Sequence, residues 1–285
     1  MNNMLSSRYK DKLFQGMGIT ASVSCLLILV IFLGFIIYQG VDRLSWDFLI
    51  NLPSRFADRA GIYTAWIGTL WIMVLTASIS FPIGVGAGIY LEEYGKKNWL
   101  NKILEINIAN LAGVPSIIYG LLGLEVFVRI MKMGNSILAG ALTLTLLILP
   151  IIIVSTREAL RAVPPSLKAA SEALGASKWQ TIWHQILPAS FGGILTGFIL
   201  AISRAVGETA PLIVIGALAY VPFVPRSPLD EFTVLPIQIF NWVSRPQHEF
   251  VINAAAAIIV LLVITFALNG VAVYMRHRWQ KKIQW

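Results

Sequence analysis

Charge is scarce in this 285-residue chain: Asp, Glu, Lys and Arg together make up 13% of it, about half their share in soluble domains. A water-soluble domain of this size covers its surface with charge, and here there is too little to do so. Disorder is excluded by the opposite imbalance. It needs low hydrophobicity and high charge, whereas 57% of these residues are hydrophobic and mean hydropathy is +0.74. Cysteine is nearly absent, and the single Cys25 excludes a disulfide framework and a four-thiolate metal site. The three histidines, His184, His248 and His277, are far apart and show no HExxH spacing. No GxxxxGKS/T phosphate-binding loop occurs, so the chain is expected neither to bind nor to hydrolyse ATP. No nucleophile–base pair has recognisable spacing, and no cofactor or metal is expected. What remains is a protein of the bilayer.

Apolar runs long enough to cross a bilayer core as helices, about 20 residues each, recur along the chain. They place six spans at about 17–39, 65–91, 106–128, 135–156, 189–218 and 251–275, and the fold class expected is an all-α membrane protein. The first run is too long for a cleavable signal and lacks a small-x-small site before Gly40, so it reads as a retained anchor. With the N-terminus inside, fourteen basic residues fall on inner segments: Arg8, Lys10, Lys12, Lys96, Lys97, Lys102, Arg157, Arg161, Lys168, Lys178, Arg276, Arg278, Lys281 and Lys282. Seven fall outside: Arg43, Arg55, Arg59, Arg129, Lys132, Arg226 and Arg245. Positive charge marks the cytoplasmic side, so both termini are expected there, and the net charge of +8 needs no nucleic acid to explain it.

The organisation that follows is a tail, first span and outer loop over 1–62, a transmembrane domain over 63–275, and a basic cytoplasmic tail over 276–285. An inner loop spans 157–188. The outer loop 219–250 carries Pro222, Pro225, Pro228, Pro236 and Pro246 and cannot be one continuous helix. Gly68, Gly84, Gly86 and Gly88 in the second span, with Gly113, Gly120 and Gly123 in the third, either let helices pack closely or let a channel-lining bundle bend. Pro82 and Pro115 are expected to kink their helices.

The inner loop has an internal grammar. Pro164-Pro165-Ser166 opens a short helix, on which Leu167, Ala170 and Leu174 share a face. Gly175 stops it. Ser177-Lys178-Trp179-Gln180 follows the capping-box pattern and opens a second helix, and Pro188 begins the fifth span. Such a unit suits either a partner's groove or the headgroup layer, with Trp179 and Trp183 as anchors.

Within the fifth span, Arg204 and Glu208 stand at i and i+4, a spacing that shares a helix face. Arg204 falls near the bilayer middle, where a charge costs roughly 2.5–3.5 kcal/mol on insertion scales. The pair therefore faces protein or water. Arg204 either presents its planar fork to a crossing anion, a geometry suited to phosphate, or fixes a subunit interface with Glu208.

Several stretches carry a resemblance. Ala169-Ala170-Ser171-Glu172-Ala173-Leu174-Gly175, with Ile186-Leu187-Pro188, resembles the EAA loop of ABC-importer permeases, although Ala169 stands where that pattern has glutamate and Glu172 comes three residues later. Gly207-Glu208-Thr209-Ala210-Pro211-Leu212 resembles a motif of the PstA family of phosphate-importer permeases. So do the stretch from Asn110 to Gly120, Leu235-Pro236-Ile237-Gln238-Ile239, and Asn269 with Arg276 and Arg278. The resemblance implies a type I ABC importer permease fold with a cytoplasmic coupling helix, in a bacterial inner membrane. It also implies three partners: a PstC-type sister permease, a dimeric PstB-type ATPase that uses the ATP, and a periplasmic PstS-type phosphate-binding protein. Arg204, Glu208 and Thr209 would line the substrate pathway. Ala169, Ala170, Ser171, Glu172, Gly175, Leu187 and Pro188 would form the ATPase-coupling loop. The rivals are an importer of another oxyanion such as sulfate or molybdate, an ATP-independent channel or secondary transporter, a polyamine importer, which Arg204 would repel, and an intramembrane enzyme, which lacks its catalytic pair.

Overall fold

The computed structural model describes residues 2–95, 98–217 and 220–280. Lys96, Lys97, Lys281 and Lys282, four of the basic residues assigned to the inner side, lie outside the described residues, as does the join at 218–219 between the fifth span and the outer loop. Helices dominate: α1 (Asn2–Gly40), α2 (Trp46–Ile50), α3 (Tyr63–Ile89), α4 (Trp99–Leu111), α5 (Ser116–Gly123), α6 (Ile137–Arg161), α7 (Pro165–Ala173), α8 (Lys178–Thr181), α9 (Leu187–Val206), α10 (Ala210–Ile215), α11 (Leu235–Val243) and α12 (His248–Gln280). Three of them run on into widened π-helical turns, Tyr90–Tyr94 after α3, Leu124–Ile130 after α5 and Ile182–Ile186 between α8 and α9.

Among the described residues, five helical stretches are long and apolar enough to cross a membrane: Asp11–Arg43, Tyr63–Tyr94, Ile137–Arg161, Lys178–Val206 and His248–Arg278. The expected third span, 106–128, is not a single helix. It is the pair α4 and α5, bent by 103°, and counting that pair makes six. Pro115 does not kink a helix there; it stands at the N-cap of α5 with an extended ψ of 134°, where a proline costs α5 no hydrogen bond. Pro82, by contrast, sits inside α3, which continues through it.

The inner loop is also shorter than 157–188. α6 stays helical through Arg161, and helix resumes at Lys178 and runs unbroken into α9. Pro188 is accommodated within the helix because the π-turn immediately before it widens the backbone where the proline ring and its missing N–H would disrupt an α-turn. The fifth span departs in the other direction too: α9 ends at Val206, and helix restarts only at Ala210.

Close approach at small residues sets the packing. α3 and α6 lie side by side, and a Cβ on Gly84 would meet Ile152 and one on Gly88 would meet Thr156, each within 3 Å. α9 runs antiparallel on α6, with Gly193 against Ala159 and Gly197 against Ser155. Gly120 and Gly123 contact Pro211 and Thr143, and Gly68 meets the Thr233 carbonyl. Packing therefore accounts for these glycines, while Gly86 faces open space. The main core joins Ile72, Leu144, Ile148, Leu212 and Phe232. A second cluster of Phe48, Ile62, Leu235, Trp242 and Phe250 closes the end of the bundle that carries α11. At that end the proline-rich segment is ordered, with Pro236 in the first turn of α11 and Leu235 N–H donating to Thr69 Oγ1 at 2.9 Å. The opposite end carries α7.

Candidate functional site

Register along α9 locates Arg204. The helix meets α6 at Gly193–Ala159 and Gly197–Ser155, and seven residues further the same register sets Arg204 level with Ile148, near the middle of α6. Arg204 lies in the last turn of α9. Glu208 does not share its helix, contrary to the spacing argument, because α9 has ended and residue 208 stands in the non-helical step before α10. The side chains still meet: Arg204 Nε donates to Glu208 Oε1 at 3.4 Å. That contact is long for a charge-assisted bond, and among the described residues no other group hydrogen-bonds the guanidinium. The Arg204 side chain is 39% exposed and that of Glu208 is 17% exposed. Thr209 is half-buried at the head of α10 and makes no side-chain capping bond.

Both broken spans converge here. The Gly120 and Pro211 backbones touch, pressing α5 onto α10. Across the bend at 112–115, the Tyr119 hydroxyl donates to the Leu111 carbonyl at 2.8 Å, and Arg204 lies within electrostatic reach of that hydroxyl. On the other flank Ser203 Oγ donates to Asn269 Oδ1 of α12 at 2.7 Å. Half-helices interrupted at mid-membrane depth leave backbone groups available, which is tolerated where they line a cavity or are covered by protein. The interruption at 207–209 has no proline within it, so periodicity alone did not reveal it.

The α7 loop matches its sequence grammar closely. α7 ends in a Schellman motif: Ala176 N–H donates to Ser171 O and Gly175 N–H to Glu172 O, with Gly175 at φ +87°. The Ser177–Gln180 capping box is complete. The expected face of Leu167, Ala170 and Leu174 is not buried; Leu174 is 91% exposed, because α7 projects from the bundle instead of lying on it. Ala169, Ala170, Glu172 and Gly175 are exposed as well. Ser171 is half-buried, its hydroxyl 2.9 Å from that of Thr181, and Leu187 and Pro188 are half-buried at the start of α9. The two sets of sequence-predicted residues are thus at different depths, one at mid-bundle and one at the α7 end.

Sequence reasoning missed a charge cluster between them and the α7 surface. Arg157, whose side chain is 8% exposed, reaches Glu92 at 3.3 Å and Glu105 at 2.6 Å. The second contact is off the hydrogen-bond direction, so Arg157 Nη2 is left without an acceptor. Arg161 bonds Glu92 at 2.9 Å, and Lys168 of α7 pairs with Glu93. The available signal was opposite charge at adjoining span ends, with Glu92-Glu93 closing one apolar run and Arg157 and Arg161 closing another.

Known proteins share this chain's sequence and shape. The probable ABC transporter permease protein YqgI of Bacillus subtilis is 34% identical, covering 93% of this chain and 95% of its own. The phosphate transport system permease protein PstA 1 of Mycobacterium tuberculosis (strain CDC 1551 / Oshkosh) is 33% identical, covering 95% and 90%. A subunit of a bacterial ABC transporter involved in import of the acidic polysaccharide alginate superposes with a TM-score of 0.69 at 14% identity, over 97% of this chain and 99% of that one. That likeness establishes the type I importer permease fold. Residues 80–281 match the model of one family. With its broken spans, projecting α7 and multi-pass architecture, the chain belongs to the binding-protein-dependent transport system inner membrane components.

Proposed function

We propose that this chain is the membrane-spanning permease subunit of an ATP-driven importer of inorganic phosphate, and that Arg204 contacts the anion in transit. The observation that carries the reading is a guanidinium level with the middle of α6, 39% exposed and held by one 3.4 Å contact. A planar cation with unused donors in a low-dielectric setting suits a phosphate oxyanion. Relatives named as phosphate permeases supply the substrate class. Glu208 orients and partly neutralises Arg204 between ions, and Thr209 offers a hydroxyl beside it.

The exposed surface of α7, with Ala169, Ala170, Glu172 and Gly175, docks onto a PstB-type ATPase dimer, which binds and hydrolyses the ATP. Ser171, Leu187 and Pro188 hold that surface on the bundle. A PstC-type permease completes the passage, and a periplasmic PstS-type protein delivers phosphate. Both termini and α7 face the cytoplasm of a bacterial cell, a reading supported by the excess of basic residues on that side. Nucleotide-driven movement of α7 then rocks the spans between outward- and inward-open states.

The test is phosphate uptake by the assembled importer carrying Arg204→Gln. Uptake is expected to fall at least tenfold while all subunits still co-purify. Normal uptake overturns the anion role.

A further inference from the structure

The charges between α7 and the bundle form one connected set. Lys168 on α7 pairs with Glu93 in the π-turn that ends α3. Glu92, its chain neighbour, holds Arg157 and Arg161 of α6, and Arg157 also reaches Glu105 of α4. Among the described residues, Lys168–Glu93 is the one ion pair that ties α7 to another part of the molecule; its other side-chain bond, Ser171–Thr181, joins it to α8 at the start of the fifth-span helix and leaves α3 and α4 to the ionic route.

α4 carries the connection onward. Tyr119 straps α5 to the end of α4, Gly120 of α5 rests on Pro211, and α10 begins two residues after Glu208. A continuous set of contacts therefore runs from α7 to the Arg204 pair. Its first stage is ionic, with Glu93, Arg157 and Glu92 largely buried and Lys168, Glu105 and Arg161 partly open to solvent, and that decides its behaviour. A largely buried charge such as Glu93 or Arg157 cannot leave one partner without gaining another. Such a set has discrete arrangements, which is what a two-state transmission requires. Beside it lies a cavity of about 440 Å³, lined in part by Glu92, Glu105, Lys102, Asn98 and Arg161, giving the side chains polar room in which to exchange partners.

We propose that Lys168, Glu93, Glu92, Arg157 and Glu105 are the joint through which α7 moves α3 and α4. This rests on the assignment of α7 as the ATPase-docking helix. Lys168 and Glu93 are positioning residues that contact neither phosphate nor nucleotide.

The experiment uses the complete importer in proteoliposomes, with radiolabelled inorganic phosphate and its binding protein. In Lys168→Met the ATPase is expected to co-purify, while stimulation of hydrolysis by phosphate-loaded binding protein falls at least tenfold and uptake falls with it. Lys168→Glu behaves likewise. Exchanging the charges, Lys168→Glu with Glu93→Lys, restores at least a third of the stimulation. Three results overturn the joint: full stimulation in Lys168→Met, loss of the ATPase from that variant, which would make Lys168 a docking residue, or an exchange that does no better than the single reversal. If the exchanged protein does not assemble, Lys168→Met alone decides. Should the wild-type importer move phosphate without ATP, the docking assignment fails instead, whatever Lys168 does.

Discussion

Arg157 and Arg204 are both arginines inside the bundle, and they are held in opposite ways. Arg157 is 8% exposed and lies against carboxylates from two other helices. Arg204 is 39% exposed, lies at mid-bundle and touches one carboxylate four residues away. Arg43 resembles Arg157: Nε bonds Asn253, and Nη2 bonds the carbonyls of Ala57, Asp58 and Ala60 at 2.7–3.1 Å. A guanidinium that serves architecture is held from several sides, by the two carboxylates at Arg157, although its Nη2 hydrogen-bonds neither, and by three carbonyls and an amide at Arg43, because an unpaired buried charge is costly. Arg204 keeps its donors where the bilayer makes a charge most expensive, and that pattern belongs to a group whose second partner comes and goes.

The comparison breaks most decisively on stability. Arg157→Ala leaves Glu92 with Arg161 alone and Glu105, 37% exposed, without a cation, a loss of about 1–3 kcal/mol. Thermal denaturation of the detergent-purified importer should show a clear drop in midpoint and a lower yield of assembled complex. Arg204→Gln removes only a long, half-exposed contact and should shift stability by about 0.5 kcal/mol or less, although uptake collapses. If the two variants melt alike, Arg204 is structural, and the distinction drawn between the two arginines is wrong.

The same contrast separates what was legible in the sequence from what was not. Features set by local chemistry were readable. These include the apolar runs, the Ser177–Gln180 box, the Gly175 stop, and the nearness of Arg204 to Glu208, which survives the end of α9 because four residues cannot separate far. Features set by distant partners were not. Glu92 and Arg157 are 65 positions apart, and nothing in one sequence says which carboxylate a span-end arginine will find. Pro115 signalled a kink in the third span, but not that the helix stops and turns by 103° at 112–115, because the residues there are as apolar as a span; the break at 207–209 was hidden because the helix pattern resumes after it. The length of the inner loop was misjudged at Pro188, where a π-turn keeps helical a segment that proline would ordinarily end.

Gly175 sharpens the comparison at the α7 end with a smaller effect. Its φ of +87° disfavours a side chain, yet a Cβ there would meet nothing within 4 Å. Gly175→Ala should therefore cost about 1 kcal/mol of local backbone strain with no clash. Gly175→Asn, which tolerates the left-handed region, should cost less. Gly175→Asp adds a negative charge to the proposed docking surface and should uncouple ATPase stimulation beyond what Gly175→Ala does. Equal coupling in the alanine and aspartate variants would mean that the surface around Gly175 does not touch the ATPase.

The smallest effect lies at the far end, where a solvated carboxylate is satisfied by backbone. Asp230 Oδ2 accepts from the N–H groups of Arg226 at 2.8 Å and Ser227 at 2.9 Å. These bonds favour the charged form and hold its pKa below the ordinary carboxylate value. Because the folded pKa is the lower one, the contribution is fully present above the ordinary value of about 3.9 and disappears as pH falls through the folded one. The 226–230 turn should resist cleavage by an acid-active protease at pH 5 and open progressively below about pH 4, while Asp230→Asn should cleave at a rate that lacks this step. Arg204 predicts the opposite form of evidence, a function lost with the fold unchanged. If wild type and Asp230→Asn open identically across the range, backbone bonds to that carboxylate are not what orders the turn, and satisfaction of a charge by its neighbours cannot be used at this end of the bundle to tell a structural group from a transporting one.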